Sequence, residues 1–191
     1  GMVGDDEFGQ FLCDQLEWEG VDTTGVSMTE EEPTGITFVS LDADGERSFV
    51  FYRHPSADMM FRADDVDREL ISRANIFQYG SNLLVTEELR EATLRAVRQA
   101  DEAGCFMSMD PNVRLHMWAE DEKAREWTYD ALQYADTLKV NEEELQFLAP
   151  DMTLEEAWET QFAPHGIGVV VLTQAGSGAR LITDTGQCDV D

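Results

Sequence analysis

The spacing of apolar residues along this chain changes after Phe61. Before it, Phe8, Phe11, Leu12 and Leu16 recur at helical spacing and stop at Gly20, which predicts a short amphipathic helix within residues 5–19. Ile36–Leu41 and Arg47–Tyr52 are rich in β-formers and are separated by Asp42-Ala43-Asp44-Gly45-Glu46, a turn composition that predicts an antiparallel hairpin. After Phe61 short apolar runs at 76–80, 105–109, 137–140 and 168–173 alternate with helical patterns near 86–103, 120–134 and on to about 162. Such alternation predicts βαβ units and a parallel sheet covered on both faces. The run at 179–184 follows only a short Gly-containing turn, so it is expected to pair back antiparallel. The fold class is therefore α/β.

That topology concentrates polar residues. Parallel strands end on one rim, and open α/β sheets bind ligands outside those ends. Gly80-Ser81-Asn82, Asp110 to Arg114, Asn141 to Glu144, and Thr173 with Gly176-Ser177-Gly178 each follow one of the apolar runs. Their convergence predicts a site for a polar, phosphorylated small molecule. Taken singly, each cluster has two readings. Asn141-Glu142-Glu143-Glu144 has the form of a helix capping box, or it holds phosphate and hydrated Mg²⁺. Arg114 offers bidentate donors to sugar hydroxyls or a phosphate, or it forms a salt bridge with local carboxylates. Thr173 to Gly178 lacks P-loop and dinucleotide-binding spacings, so it is a phosphate-binding turn or simply a hairpin turn.

Charge narrows the partners. The 191 residues include 40 Asp or Glu against 13 Lys or Arg, a formal charge of -27, which argues against nucleic acid and against an anionic membrane surface. No apolar run approaches the roughly 20 residues that span a bilayer, and GMVGDDEFG has no signal-peptide character, so the cytoplasm is the expected location. Cys13, Cys105 and Cys188 are widely spaced and read as buried thiols rather than a disulfide frame or zinc site. His54, His116 and His165 show no metal-binding spacing, and no GxSxG elbow is present. Trp127 and Phe147 sit on helical faces and are expected in the core.

Four stretches, GMVGDDEFG at 1–9, FYRHPSADMMF at 51–61, DPNVRLHMW at 110–118 and KVNEEELQFL at 139–148, together resemble the PfkB (ribokinase-like) carbohydrate kinases, most closely the fructokinases. The resemblance implies a three-layer αβα Rossmann-like body, over 1–32 and 62–191, with a small β-sheet lid at 33–61. It implies ATP with Mg²⁺ and phosphoryl transfer to a sugar hydroxyl, such chemistry being mostly positioning and charge stabilisation. Carried onto matching positions, Tyr52, Arg53, Ala57, Asp58 and Asn82 would face the sugar, and Arg114 would help bind the sugar or the phosphoryl group. Lys139, Asn141, Glu144, Thr173, Gly176 and Gly178 would serve the nucleotide, with Glu144 toward the metal.

Two departures from the family pattern bear on these expectations. Ala175 stands where the family usually has Gly. No D-T-x-G-A-G-D segment, the family's source of catalytic base and anion hole, occurs up to Asp191, and the opening strand is also lacking. The chain is thus expected to be an internal fragment lacking both termini, without kinase activity of its own. Other readings are a 2-keto-3-deoxygluconate kinase or related sugar kinase, and a non-catalytic sugar-binding module that forms a homodimer through the lid hairpin.

The acidic surface repels itself in dilute buffer, and near 1 M salt the screening length falls to roughly 3 Å. A salt-loving protein is one reading and an ordinary acidic one the other. The salt-loving reading predicts a melting temperature that rises with added KCl, measured by scanning fluorimetry; a flat response counts against it.

Overall fold

The computed structural model describes residues 1–42, 47–53 and 55–190. The expected turn residues 43–46, and also His54, lie outside them. The chain divides into two compact units, Gly1–Asp67 and Arg68–Asp191. Among the described residues no helix is long and apolar enough to cross a membrane.

In the first unit, β1 (Met2–Gly4) leads into α1 (Glu7–Trp18), and β2 (Ser27–Thr29) pairs parallel with β1, Val3 opposite Met28. The turn between β1 and α1 is closed by Asp6. Its Oδ1 accepts from the Gly9 N–H at 2.8 Å, capping the helix, and from the Thr34 hydroxyl at 2.8 Å. Its Oδ2 accepts from the Thr34 N–H at 2.7 Å, while Thr34 Oγ1 accepts from the Gly4 N–H at 3.0 Å. The glycines are required by contact. A Cβ on Gly9 would lie 2.1 Å from the Gly4 carbonyl oxygen, and one on Gly4 would lie 2.6 Å from the Thr34 nitrogen.

The predicted helix forms as α1, but the apolar residues that predicted it are not the ones buried. Its buried residues are Gly9 and Cys13, whereas Phe8, Phe11, Leu12 and Leu16 are exposed. Close backbone approach at Gly9 selects the face that packs on β1, and the bulkier residues point away. The hairpin forms as expected from β3 (Ile36–Leu41) and β4 (Arg47–Tyr52), antiparallel, with Phe38 opposite Val50. Phe38, Val50 and Tyr52 share one face and Val39, Leu41 and Phe49 the other, and all six are exposed.

The second unit begins with α2 (Arg68–Ser72) and runs β5 (Ile76–Tyr79), α3 (Glu87–Ala103), β6 (Phe106–Met109), α4 (Asp121–Leu132), β7 (Thr137–Asn141), α5 (Glu142–Leu148), α6 (Leu154–Ala157) and β8 (Val169–Thr173). β9 (Ala179–Thr183) and β10 (Gly186–Val190) complete it, the latter strand not foreseen. The sheet order is β10-β9-β8-β7-β6-β5, parallel from β5 to β8 and antiparallel at β9 and β10. Thr86 caps α3, and Gly104 at φ 79° ends it in the left-handed conformation.

The parallel crossovers all step the same way along the sheet, so right-handed connections place their helices on one face. Tyr79, Met107, Met109, Leu138, Val140, Val170 and Leu172 point to that face and are buried. On the opposite face Ile76 and Phe106, paired in register, are exposed, and Val169 and Val171 are half-buried. Within this unit the helices cover one face. Tyr79 donates its hydroxyl to the Ala131 carbonyl at 3.0 Å, and burial pushes its phenol well above the usual range. Cys13 and Cys105 are buried as expected, but Cys188 is exposed on β10, an outer strand of this sheet.

The hydrogen bonds from Thr34, followed by that from Gly9, hold the Asp6 carboxyl below its ordinary value of 3.8. A depressed folded-state value contributes stability that is complete above the unfolded value and is lost as pH falls through the folded one. Asp6→Asn is expected to lower the melting temperature at pH 7 and to lose that difference progressively as pH falls below the ordinary Asp value, in paired thermal melts. An unchanged difference across that range would refute the assignment.

Candidate functional site

The four polar clusters after β5 to β8 lie along one rim of the second unit, joined by hydrogen bonds. After β5, the Ser81 N–H and hydroxyl both donate to the Pro111 carbonyl, at 2.9 and 2.6 Å. Gly80 permits this approach, since a Cβ there would lie 2.6 Å from the Asp110 carbonyl oxygen. After β6, Asp110 accepts from Lys139 Nζ of β7 at 2.9 Å through Oδ2, and from the Asn112 N–H at 3.2 Å through Oδ1. Asn112 holds a left-handed φ of 45°, a conformation that Asn adopts more readily than most residues, and so turns the chain toward Arg114.

Glu144 joins the next two clusters. Its carboxylate Oε2 accepts from the Asn141 N–H at 3.0 Å, and the Asn141 side chain accepts from the Glu144 N–H at 2.8 Å, which completes the capping box of α5. The other oxygen, Oε1, accepts from the Val113 N–H at 2.9 Å, on the loop after β6. Glu144 is 4% exposed. Farther along the rim the Thr173 hydroxyl donates to the Val140 carbonyl at 3.3 Å, and Gln174 Nε2 donates to Glu142 at 3.2 Å.

A cleft of about 330 Å³ opens at these loops, lined by Val113, Arg114, Leu115, His116, Asn141, Glu143, Glu144 and Phe147. It brings together Arg114, Asn141 and Glu144 of the expected set. Arg114 donates from Nη1 to the Val113 carbonyl at 3.0 Å, and among the described residues no carboxylate forms an ion pair with it, which leaves the salt-bridge reading of this side chain without support. Asn82, Lys139, Thr173, Gly176 and Gly178 stand on the rim loops or strands without lining the cleft. Gly178 has φ 89° and ψ -141°, reachable only without a side chain, and Ala175 holds φ 49°, which for Ala carries a strain that Gly would not.

The other expected residues lie in the first unit. Tyr52 is exposed and packs edge-on against Phe38. Arg53 Nε donates to Asp58 Oδ2 at 2.5 Å, and Asp58 Oδ1 accepts from the buried Ser56 hydroxyl at 2.6 Å, so these side chains hold one another. Ala57 is fully buried, and its N–H donates to the Pro33 carbonyl at 2.8 Å.

His116 and Phe147 were missed. His116 reads in sequence as an isolated histidine, yet it lies two residues beyond Arg114 and lines the same cleft. Phe147 lies four residues after Glu143, hence on the same side of α5, a spacing that signals the shared face. It is half-buried and packs against the core, as expected, but also lines the cleft, with the Arg125 guanidinium 5.2 Å from its ring centre.

Chemically, the cleft offers a guanidinium with unused donors, an amide, an imidazole, an aromatic ring and the carboxylates of Glu143 and Glu144. Among the described residues no group of three or more His, Cys, Asp or Glu is placed to hold a metal.

Comparison with known proteins agrees with this geometry. The profile of the pfkB family carbohydrate kinases matches residues 1–191. Probable fructokinase-3 of Arabidopsis thaliana is 39% identical over 183 residues, which are 96% of this chain and 53% of that protein. The structure of a Xylella fastidiosa fructokinase with bound ATP superposes with a TM-score of 0.87 at 34% identity, covering 100% of this chain and 61% of that one. A Vibrio cholerae O395 fructokinase with fructose, ADP and calcium ion bound gives 0.86 at 32% identity, with 100% and 61% coverage. This chain spans about half the length of the curated relatives it matches. A mostly parallel sheet with its helices, a separate small antiparallel hairpin, and a family profile matched from end to end have one conclusion: the chain has the ribokinase-like α/β fold and belongs to the pfkB family of carbohydrate kinases.

Proposed function

We propose that this chain carries part of the substrate-binding machinery of an ATP-dependent sugar kinase, with fructose as the sugar, acting in the cytoplasm. The observation that carries the reading is the cleft at the carboxyl ends of the parallel strands, where Arg114 and Asn141 converge. Arg114 presents planar, permanently charged donors that match a phosphoryl group or paired sugar hydroxyls. Lys139 and Asp110 pair with one another, and among the described residues no carboxylate pairs with Arg114, whose charge is proposed to meet an anion. Thr173, Gly176 and Gly178 are proposed to border the nucleotide and Asn82 and Arg114 the sugar, while for Tyr52, Arg53, Ala57 and Asp58 a part in sugar binding is proposed from the family resemblance alone. The relatives solved with ATP, and with fructose and ADP, support these ligand classes.

Magnesium fits this donor set only as an ion that arrives with the phosphates. A single buried carboxylate with both oxygens already accepting N–H bonds suits Mg²⁺ that keeps most of its waters. Asn141 and Glu144 are the residues proposed to face that hydrated ion, which when bound neutralises charge on the phosphate oxygens.

The exposed apolar hairpin favours a second assignment, a homodimer formed through β3 and β4. Two-stranded hairpins are marginal alone, and this one leaves large apolar side chains uncovered on both faces.

Calorimetric titration with MgATP is expected to show saturable binding that Arg114→Ala weakens about tenfold or more. A folded chain that takes up no MgATP would overturn the kinase reading, and a panel of fructose against 2-keto-3-deoxygluconate decides between the two sugars. For the dimer, sedimentation is expected to show twice the chain mass, reduced to one by Phe38→Asp with Val50→Asp. A wild-type monomer at micromolar concentration would count against it.

A further inference from the structure

A capping box accounts for one oxygen of Glu144 and leaves the other unexplained. Oε2 bonds the Asn141 N–H within the box, but Oε1 reaches the Val113 N–H, a partner 31 residues back on a different crossover loop. Neither the helix nor the sheet needs that second bond. Its immediate neighbour is Arg114, whose guanidinium donates to the carbonyl of the same Val113. Val113 is thus held from both ends, its N–H by Glu144 and its carbonyl by Arg114. The loop that carries it turns through the left-handed Asn112 and has no regular structure of its own at this point. A carboxylate that is 4% exposed and already bonded by two N–H groups is poorly placed to act mainly on a ligand.

From this we infer that Glu144 is a positioning residue: it anchors the Asp110–Arg114 loop to the end of β7 and so sets where Arg114 presents its guanidinium in the cleft. The inference rests on the reading of Arg114 as a phosphate- or sugar-binding group and adds how it is held. It adds to the proposed place of Glu144 beside the hydrated ion a task that needs no metal, because both of its oxygens already accept backbone N–H bonds. The same carboxylate could not be replaced by an amide without loss. Gln offers one acceptor and one donor, so one of the two N–H groups would face another donor.

The test uses tripolyphosphate in EDTA as a metal-free probe of Arg114, titrated into the wild-type chain, E144Q, R114A and the double variant, with melting temperatures recorded alongside. Glu144→Gln is expected to weaken binding about tenfold, and to have no further effect once Arg114 is Ala, because it acts through that side chain. Losses that multiply in the double variant, or a Glu144→Gln loss that appears only when Mg²⁺ is added, would overturn the clamp. A general loss of packing would lower the melting temperature without abolishing the Glu144 effect specifically in the Arg114→Ala background. Should Glu144→Gln fail to fold, amide hydrogen exchange in the wild-type chain decides. The Val113 N–H is expected to be protected despite its place in an irregular loop, and exchange at an open-loop rate would refute the inference. A folded chain that binds no tripolyphosphate counts against the kinase reading, and the clamp is then judged on Val113 exchange alone.

Discussion

A buried carboxylate that accepts hydrogen bonds from two separate loops is the constraint around which the candidate site is arranged. Glu144 is charged and nearly inaccessible, a costly state unless its oxygens are bonded. Both are, one by the Asn141 N–H at the end of β7 and one by the Val113 N–H beyond β6. The protein meets the desolvation cost with backbone donors, and the same bonds fix two segments that the sheet alone would leave free to move apart. The cleft lies where they meet, and Arg114 stands on the tethered loop.

Handedness accounts for the rest of the second unit. Strands β5 to β8 follow one another across the sheet, and right-handed crossovers in a single direction stack the helices on one side. That arrangement buries one face of the sheet thoroughly and leaves Ile76 and Phe106 exposed on the other. It also brings all four parallel strand ends to one rim, which is why residues far apart in sequence, from Ser81 to Gln174, are linked there by short hydrogen bonds. In the first unit the controlling contact is shorter in range. Gly4, Gly9 and Thr34 close around Asp6, and the resulting backbone approach decides which side of α1 faces inward.

Much of this was legible in advance because it depends on local periodicity. The hairpin at 36–52, the alternation after Phe61 and the reversal at 179–184 were each readable from side-chain spacing and turn residues, and they appear at the expected positions. The short pieces were not: β1, β2 and α2 have three to five residues, too few to carry a periodic signal. Likewise Arg114, Asn141 and Glu144 could be singled out as chemically apt, but the bond between Glu144 and Val113 spans 31 residues and no local pattern records it. His116 and Phe147 were passed over for a related reason, since lining a cleft depends on which loops meet there.

From residue order alone came the α/β class, the strand directions and the rim that would gather the polar clusters. These follow from spacing and composition, which are properties of the chain taken a few residues at a time. Only the folded molecule decided that Phe8, Phe11, Leu12 and Leu16 point outward, that helices of the second unit occupy one face, that Cys188 is exposed, and that Glu144 grips a neighbouring loop. Each of those outcomes is a matter of which surface another segment covers, and that is settled by contacts between residues distant in sequence.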